Sequence, residues 1–258
     1  MAYSRTYLWI VAFVLAFGGG KAKGQHVIFD DSYAVSFTFM DASSLEQTRM
    51  TAANDGINYW SSSGGSTFGL RLAQYDSVGS LLATYAPNLD IRSIFTDDAG
   101  NLYARQFADP IIYQQTAPGM FVPFVTLSGG TLDVQSAVVL NSDRTAYIAM
   151  SAGTVSQWDS TGTFLGTVAL SGYGTMFGES AYPNNRGIAA AGGYWLTYSN
   201  RMLSAWDTDG NRVDTTELLN AGTSFDAHFS FSYANGMVFI VDGPGGSWRG
   251  YDVGLGPS

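Results

Sequence analysis

Beyond residue 45 the chain is a succession of short runs in which apolar and polar side chains alternate, each closed by a turn signal. "RSIFTDD" (92–98) is followed by the turn "DAG", then by "NLYARQF" (101–107), while "IIYQQ", "VSQWD" and "LLATY" (81–85) show the same period of two. Such alternation marks half-buried β-strands, and "DAG" and "NG" between them mark hairpins. The 3.6-residue spacing of amphipathic helices is not seen, which sets aside helical solenoids.

The runs repeat. Taking the turn glycine of "ANDGINYW" (Gly56) as reference, equivalent positions fall at Gly100, Arg144, Gly193 and Gly236, in steps of 44, 44, 49 and 43 residues. Three residues after each stand Tyr59, Tyr103, Tyr147, Leu196 and Phe239, and further on Tyr75, Tyr113, Trp158, Trp206 and Tyr251. Four short strands per unit with short connections is the blade of a β-propeller, so the fold class is all-β with four-stranded antiparallel blades. The aromatics of "QYDSVGSLL", "QWDSTGTFL", "AWDTDGNRV" and "GYDVGLG" are expected to fill the space between blades. The Asp that follows starts a turn by accepting backbone N–H bonds, and Gly supplies a positive φ.

Five first-and-second strand pairs are visible, and the last unit ends without its outermost strand. "HVIFDDSYAVSFTF" (26–39) reads as a third strand, a turn and a fourth strand, able to complete that last blade and leave "HVIFDD" as an extra edge. The reading is a five-bladed ring or an incomplete six- or seven-bladed one. One domain spans 25–258, with 25–45 supplying the closing strands.

"DIRSIFTDDAGNLYA" and "QWDSTGTFLG" resemble the NHL, SMP-30-like and quinoprotein-like propeller repeats, and the resemblance covers most of 46–252. The docking Trp that quinoprotein repeats carry near the end of the last strand is missing from "LLATY", "FLGTV" and "RVDTTEL". The resemblance to SMP-30-like and lactonase propellers implies a metal-dependent hydrolase, its divalent cation held at the channel mouth. Glu46, Asp90, Asn185 and Asp226 would supply oxygens to that ion, with Ca²⁺ as a candidate, and His228 would move the proton.

Residues 1–24 differ from the rest: Arg5, an apolar run over 7–17, then small residues with Ala22 and Gly24 two apart. That is the layout of a secretory signal peptide, with cleavage expected after Gly24 and a secreted or periplasmic location. The run is shorter than the ~20 residues of a spanning helix, and no later segment is apolar enough, so no membrane span is expected after cleavage. Cleavage removes three bases and no acid, leaving nine arginines against 21 acidic residues. A surface so acidic repels phosphate backbones and sets nucleic acid aside as a partner. The absence of Cys removes thiol nucleophiles, thiolate zinc sites and disulfides, so the core alone holds the chain.

In a propeller the loops entering the first strand of each blade gather at one mouth of the channel. Ten residues before the reference turns stand Glu46, Asp90, Pro183 and Asp226, with Asp133 eleven before; eight before stand Thr48, Arg92, Asn185 and His228, with Gln135 nine before. Varied polar groups in equivalent slots point to a ligand site for a small polar ligand, a glycan or a protein segment. The same groups also serve as ordinary caps on wet loops. The longer loop 171–185 is expected to bring Tyr173, Glu179 and Tyr182 to this mouth. "DTDGN" (207–211) shares the start of a calcium loop but lacks its bidentate Glu and is read as a turn. Tyr59-Trp60 and Tyr194-Trp195 each put one ring on either strand face, one for packing and one available as a sugar platform. Two readings follow: a binding or interaction module using this mouth, or a hydrolase using the same carboxylates.

Overall fold

Alternating apolar residues need cover on both faces of a sheet, and a ring of blades supplies it by stacking each sheet on two neighbours. The computed structural model describes residues 28–43, 48–65, 72–223, 229–241 and 246–256. It shows five blades of four antiparallel strands. Blade 1 is β3 (Thr48–Asn54), β4 (Tyr59–Gly64), β5 (Leu72–Tyr75) and β6 (Leu81–Tyr85). Blade 2 holds β7 (Ile91–Thr96), β8 (Leu102–Gln106), β9 (Ile111–Ala117) and β10 (Met120–Thr126). In blade 3 stand β11 (Val138–Leu140), β12 (Ala146–Ser151), β13 (Thr154–Asp159) and β14 (Phe164–Ala169), and in blade 4 β15 (Ala189–Ala191), β16 (Tyr194–Ser199), β17 (Met202–Trp206) and β18 (Arg212–Leu218).

Blade 5 takes β19 (Ser232–Ala234), β20 (Met237–Val241) and β21 (Ser247–Asp252) from the C-terminal end and β2 (Phe37–Met40) from the N-terminal end. Phe39 pairs with Trp248 across that seam. The ring is therefore five-bladed and closed by the N-terminal strand. The segment ahead of it behaves differently from the third strand read in the sequence. Among its described residues only Ser32–Tyr33 form a strand, β1, and it runs parallel to β18 of blade 4. Ile28 and Phe29 instead direct their N–H groups at Asp214 of that blade, and Phe29 packs into the blade 4–blade 5 core.

The core consists of five apolar wedges, one at each blade interface. The third-strand aromatic of every blade faces the interface with the blade before it: Tyr75 toward blade 5, Tyr113 toward blade 1, Trp158 toward blade 2, Trp206 toward blade 3 and Tyr251 toward blade 4. Each polar tip finds a partner as burial demands, for example Trp158 Nε1 on Gly129 O (3.2 Å) and Tyr251 Oη on Leu219 O (3.1 Å). Second-strand rings fill the wedges too. Tyr59 stacks on Phe37 of blade 5, while Trp60 on the opposite face meets Tyr85 and the blade 1–blade 2 wedge. Both are buried, so Trp60 is not the exposed sugar platform that strand alternation allowed for.

The turns behave as the motif predicts. Asp76, Asp159 and Asp207 each accept two backbone N–H bonds, from residues two and four further on. Asp207 does so within "DTDGN", making it an Asx-type turn. The glycine has a second duty. A Cβ on Gly162 (φ +86°) would lie 2.2 Å from Thr126 O, and one on Gly210 (φ +85°) 2.3 Å from Ala169 O. These third-to-fourth strand turns abut the end of the preceding blade's outer strand, where no side chain fits.

Candidate functional site

Five innermost strands crowd a narrow channel, and two of them carry runs of small residues there, "TAA" in β3 and "AAA" in β15. Hydroxyls tie neighbouring blades together there. Ile94 N–H donates to Thr51 Oγ1 (2.7 Å), Ser93 Oγ donates to Val138 O (2.7 Å), and Ala52 N–H donates to Ser232 Oγ (3.0 Å). The cavity left between the five strands is about 30 Å³, room for a water or two and for no ligand. At the end of the channel away from the mouth, Arg144, at positive φ in the glycine slot, donates through Nη1 to Thr96 O (2.6 Å) and helps wall off that cavity. Burial lowers its pKa from the ordinary arginine value.

A ligand has room only outside that cavity, and the sequence-predicted residues of blades 2 and 3 are linked at the mouth. Asp90 lies just before β7 and accepts from Gly65 N–H of blade 1 (2.7 Å). Its two oxygens also receive Arg92 Nη1 (2.6 Å) and Nη2 (3.3 Å), a fork on a carboxylate. Arg92, only 5% exposed, donates through Nε to Gln135 Oε1 (2.7 Å), and its guanidinium lies 4.7 Å over the Phe107 ring. Asp133 Oδ1 accepts Gln135 N–H (2.9 Å) and sits 3.0 Å from Arg186 Nε, an ion pair rather than an aligned hydrogen bond. Asp90, Arg92, Gln135 and Asp133 are therefore linked in one polar chain that crosses from blade 1 to the loop ahead of blade 4.

Asn185 sits in a one-turn 3₁₀ segment, Asn184–Arg186, and donates through Nδ2 to Ser180 O (3.0 Å); its Oδ1 is buried with no partner among the described residues. Glu179 is placed elsewhere. It is 2% exposed, accepts Gly174 N–H (3.0 Å) and Arg212 Nη2 (2.8 Å), and lies near Ser204 Oγ (3.5 Å). Its carboxylate faces the third and outer strands of blade 4, not the channel. Tyr173 anchors the same loop, donating to Glu179 O (2.9 Å) and packing on Trp206, and burial drives its pKa up. Tyr182 at the loop's end is exposed against Phe229. Glu46, Asp226 and His228 lie outside the described residues.

Among the described residues no three His, Asp or Glu side chains gather around one point. The three described carboxylates of the predicted ring each face a different arginine: Arg92, Arg186 and Arg212. Sequence reasoning missed Arg186 and Arg105. Arg105, in β8, is 1% exposed and donates to the carbonyls of Val134 (2.7 Å), Ser136 (3.1 Å) and Asp133 (3.2 Å), holding the loop that carries Gln135. The signal for it was present: the equivalent slots of the other blades hold Ser61, Ala149, Tyr198 and Val241. An arginine in a slot otherwise small, aromatic or apolar marks a charge with a specific task.

No protein-family profile matches the chain, and no curated protein is detectably similar to it in sequence. Solved structures do align with it. Glutaminyl cyclase from Myxococcus xanthus superposes with a TM-score of 0.58 at 10% identity, over 85% of this chain and 96% of that one. A gluconolactonase from Xanthomonas campestris aligns at 0.43 with 12% identity, over 75% of this chain and 68% of its own, and virginiamycin B lyase from Staphylococcus aureus at 0.41 with 12%, over 80% and 66%. At such identities the likeness is one of fold, which does not carry function with it. The chain is a five-bladed β-propeller.

Proposed function

We propose that this propeller is a secreted or periplasmic binding module that recognises a small polar ligand, a glycan or a protein segment at its mouth. The observation that carries the reading is the pre-built polar chain Asp90–Arg92–Gln135 with Asp133 and Arg186 beside it. Groups already oriented by one another lose little freedom when a ligand arrives, which is what a recognition surface needs. The apolar run over 7–17 supports a place outside the cytoplasm. No helix among the described residues is long and apolar enough to cross a membrane.

A metal-dependent hydrolase needs carboxylates free to face a cation. Ca²⁺ takes about six to eight oxygen ligands. Of the predicted set, Asp90 is engaged by Arg92, Asn185 offers one unpartnered oxygen, and Glu46 and Asp226 are outside the described residues. Among the described residues no three His, Asp or Glu side chains gather as such a site needs.

Two measurements test the proposal. In a thermal-shift screen of neutral sugars and short peptides, a ligand that raises the melting temperature saturably is expected to lose its effect with Gln135→Ala, which opens the mouth while Arg92 keeps Asp90. Ligands indifferent to that change, or no saturable ligand at all, would count against the mouth. Calorimetric titration with Ca²⁺ after chelation is expected to give no stoichiometric heat. A single site lost on Asp226→Ala would replace the binding reading with the hydrolase.

A further inference from the structure

A second site lies on the same end of the ring but outside the channel. Between the turn that follows β8 and the connection from blade 2 to blade 3 is a cleft of about 320 Å³, within the size of small-molecule pockets. Pro110, Leu127, Leu132 and Val134 form its apolar walls, Asp109 stands among its lining residues, and Arg105 is the one cation lining it.

Arg105 is an unusual group to find there. A buried guanidinium is ordinarily matched by a carboxylate, because desolvating an unpaired charge costs several kcal/mol. Among the described residues no carboxylate forms an ion pair with Arg105. Its three hydrogen bonds all go to main-chain carbonyls, two from Nη1 and one from Nη2. A guanidinium has five N–H donors. The buried Nε–H has no acceptor among the described residues, and Nη2 makes one of the two bonds it can donate. Burial, and next to it the positive charge of Arg92, pull the pKa of Arg105 down to about 10, against the attraction of Asp109, Asp133 and Asp90. Among the described residues this cation has no carboxylate in direct contact, and it stands at the wall of a cleft lined by apolar and polar groups alike.

We propose that this cleft binds a small monocarboxylate with an apolar body, its carboxylate accepting from Arg105 Nε–H and the neighbouring Nη2–H and its body lying on Leu127, Leu132 and Val134. The side-on pair of donors matches the two oxygens of a carboxylate. Asp109 sets the limit of one negative charge. Its carboxylate is engaged by Tyr113 Oη (2.9 Å), Ile111 N–H (3.1 Å) and Gln106 Nε2, so a single carboxylate is tolerated near it while a second would meet repulsion. Of the other two nearby acids, Asp133 turns its carboxylate to Arg186 and gives only its carbonyl to Arg105, and Asp90 is held by Arg92. The site does not depend on what the channel mouth binds.

The test is titration of the whole chain with phenylacetate, following the arginine Nε–H resonances by ¹⁵N-edited NMR. One resonance, that of Arg105, is expected to move saturably with a Kd of about 1 mM or tighter, and phenylacetamide, neutral and of the same shape, to bind about tenfold more weakly. Replacing Arg105 itself also releases the loop 133–136, so the decisive variant is Val134→Glu, at a residue 45% exposed. That carboxylate is expected to abolish the response to phenylacetate and leave the circular dichroism unchanged. No movement at about 10 mM phenylacetate, an amide that binds as well as the acid, or a Val134→Glu chain that still responds would overturn the proposal and leave Arg105 as a loop anchor with a water at Nε.

Discussion

At the scale of single residues, two glycines with the same φ separate conformational strain from steric exclusion. Gly162 and Gly193 both stand at φ +86°, but a Cβ at Gly193 would meet nothing within 4 Å while one at Gly162 would meet Thr126 O at 2.2 Å. Gly193→Ala is expected to cost about 1–2 kcal/mol, the strain of an L-residue in the left-handed region. Gly162→Ala should cost a further 1–3 kcal/mol or so, because the outer strand of blade 2 has to move. Urea unfolding of the two variants measures the difference; equal losses would mean that the turn-to-blade contact contributes nothing. The sequence shows Gly in both turns and gives each the same reason, a positive φ. The second reason is invisible there, since it depends on which blade end lies against the turn.

At the scale of elements, the strand-linking turns tie stability to pH. Asp159 and Asp207 have pKa values below the ordinary carboxylate range, chiefly through Thr161 and Asn211 side chains and then through main-chain N–H groups. Asp143 is lowered by Thr145 in the same way. For Asp97 burial works against the charged form, but bonds from Asn101, Tyr103 and Ala99 outweigh it. The folded chain therefore holds these protons less tightly than the unfolded chain, whose Asp groups titrate near about 3.9. The stability they supply is complete above that value and is lost as pH falls through the lower folded values. The urea midpoint is expected to be flat from neutral pH to about 5 and to drop toward about pH 2, more shallowly in Asp97→Asn. A midpoint that holds steady in acid would remove these turns from the account. This much is legible in the sequence, because an Asp and the N–H groups it caps lie within five residues of one another. The polar chain at the mouth is not: Arg92 and Gln135 are 43 residues apart and meet only because blades 2 and 3 stack. Spacing placed Asp90, Arg92, Asp133 and Gln135 at one end of the ring, but not their pairing, and Glu179, expected at the mouth from the length of its loop, pairs instead with Arg212 of the outer strand of blade 4.

At the scale of the whole molecule, the ring is held shut by four residues. The last unit of the sequence lacks an outermost strand and the N-terminal segment has a strand to spare, so closure is legible as a matter of matching ends. Which part of 26–39 does the work is settled by packing. Phe39 enters the blade 5–blade 1 wedge against Tyr59, Tyr75, Phe239 and Trp248, whereas the segment before it binds blade 4 from outside. Closure joins residues about two hundred positions apart in sequence, and such pairing is slow to form because loop entropy is lost before the contact gains anything. A chain starting at residue 44 would leave blade 5 three-stranded and open this wedge to water. It is expected to melt well below the intact protein, in a broader transition. A synthetic peptide of residues 28–43 should bind it and restore both the melting temperature and the near-ultraviolet circular dichroism of the buried aromatics, and the same peptide with Phe39→Ala should bind far less. Large-to-small changes at buried Phe cost about 3–5 kcal/mol. If the shortened chain melts like the intact one, closure by Phe37–Met40 is not what holds the ring. If it melts early but the peptide with Phe39→Ala rescues it equally, the hydrogen bonds to β21, not the aromatic wedge, are the latch.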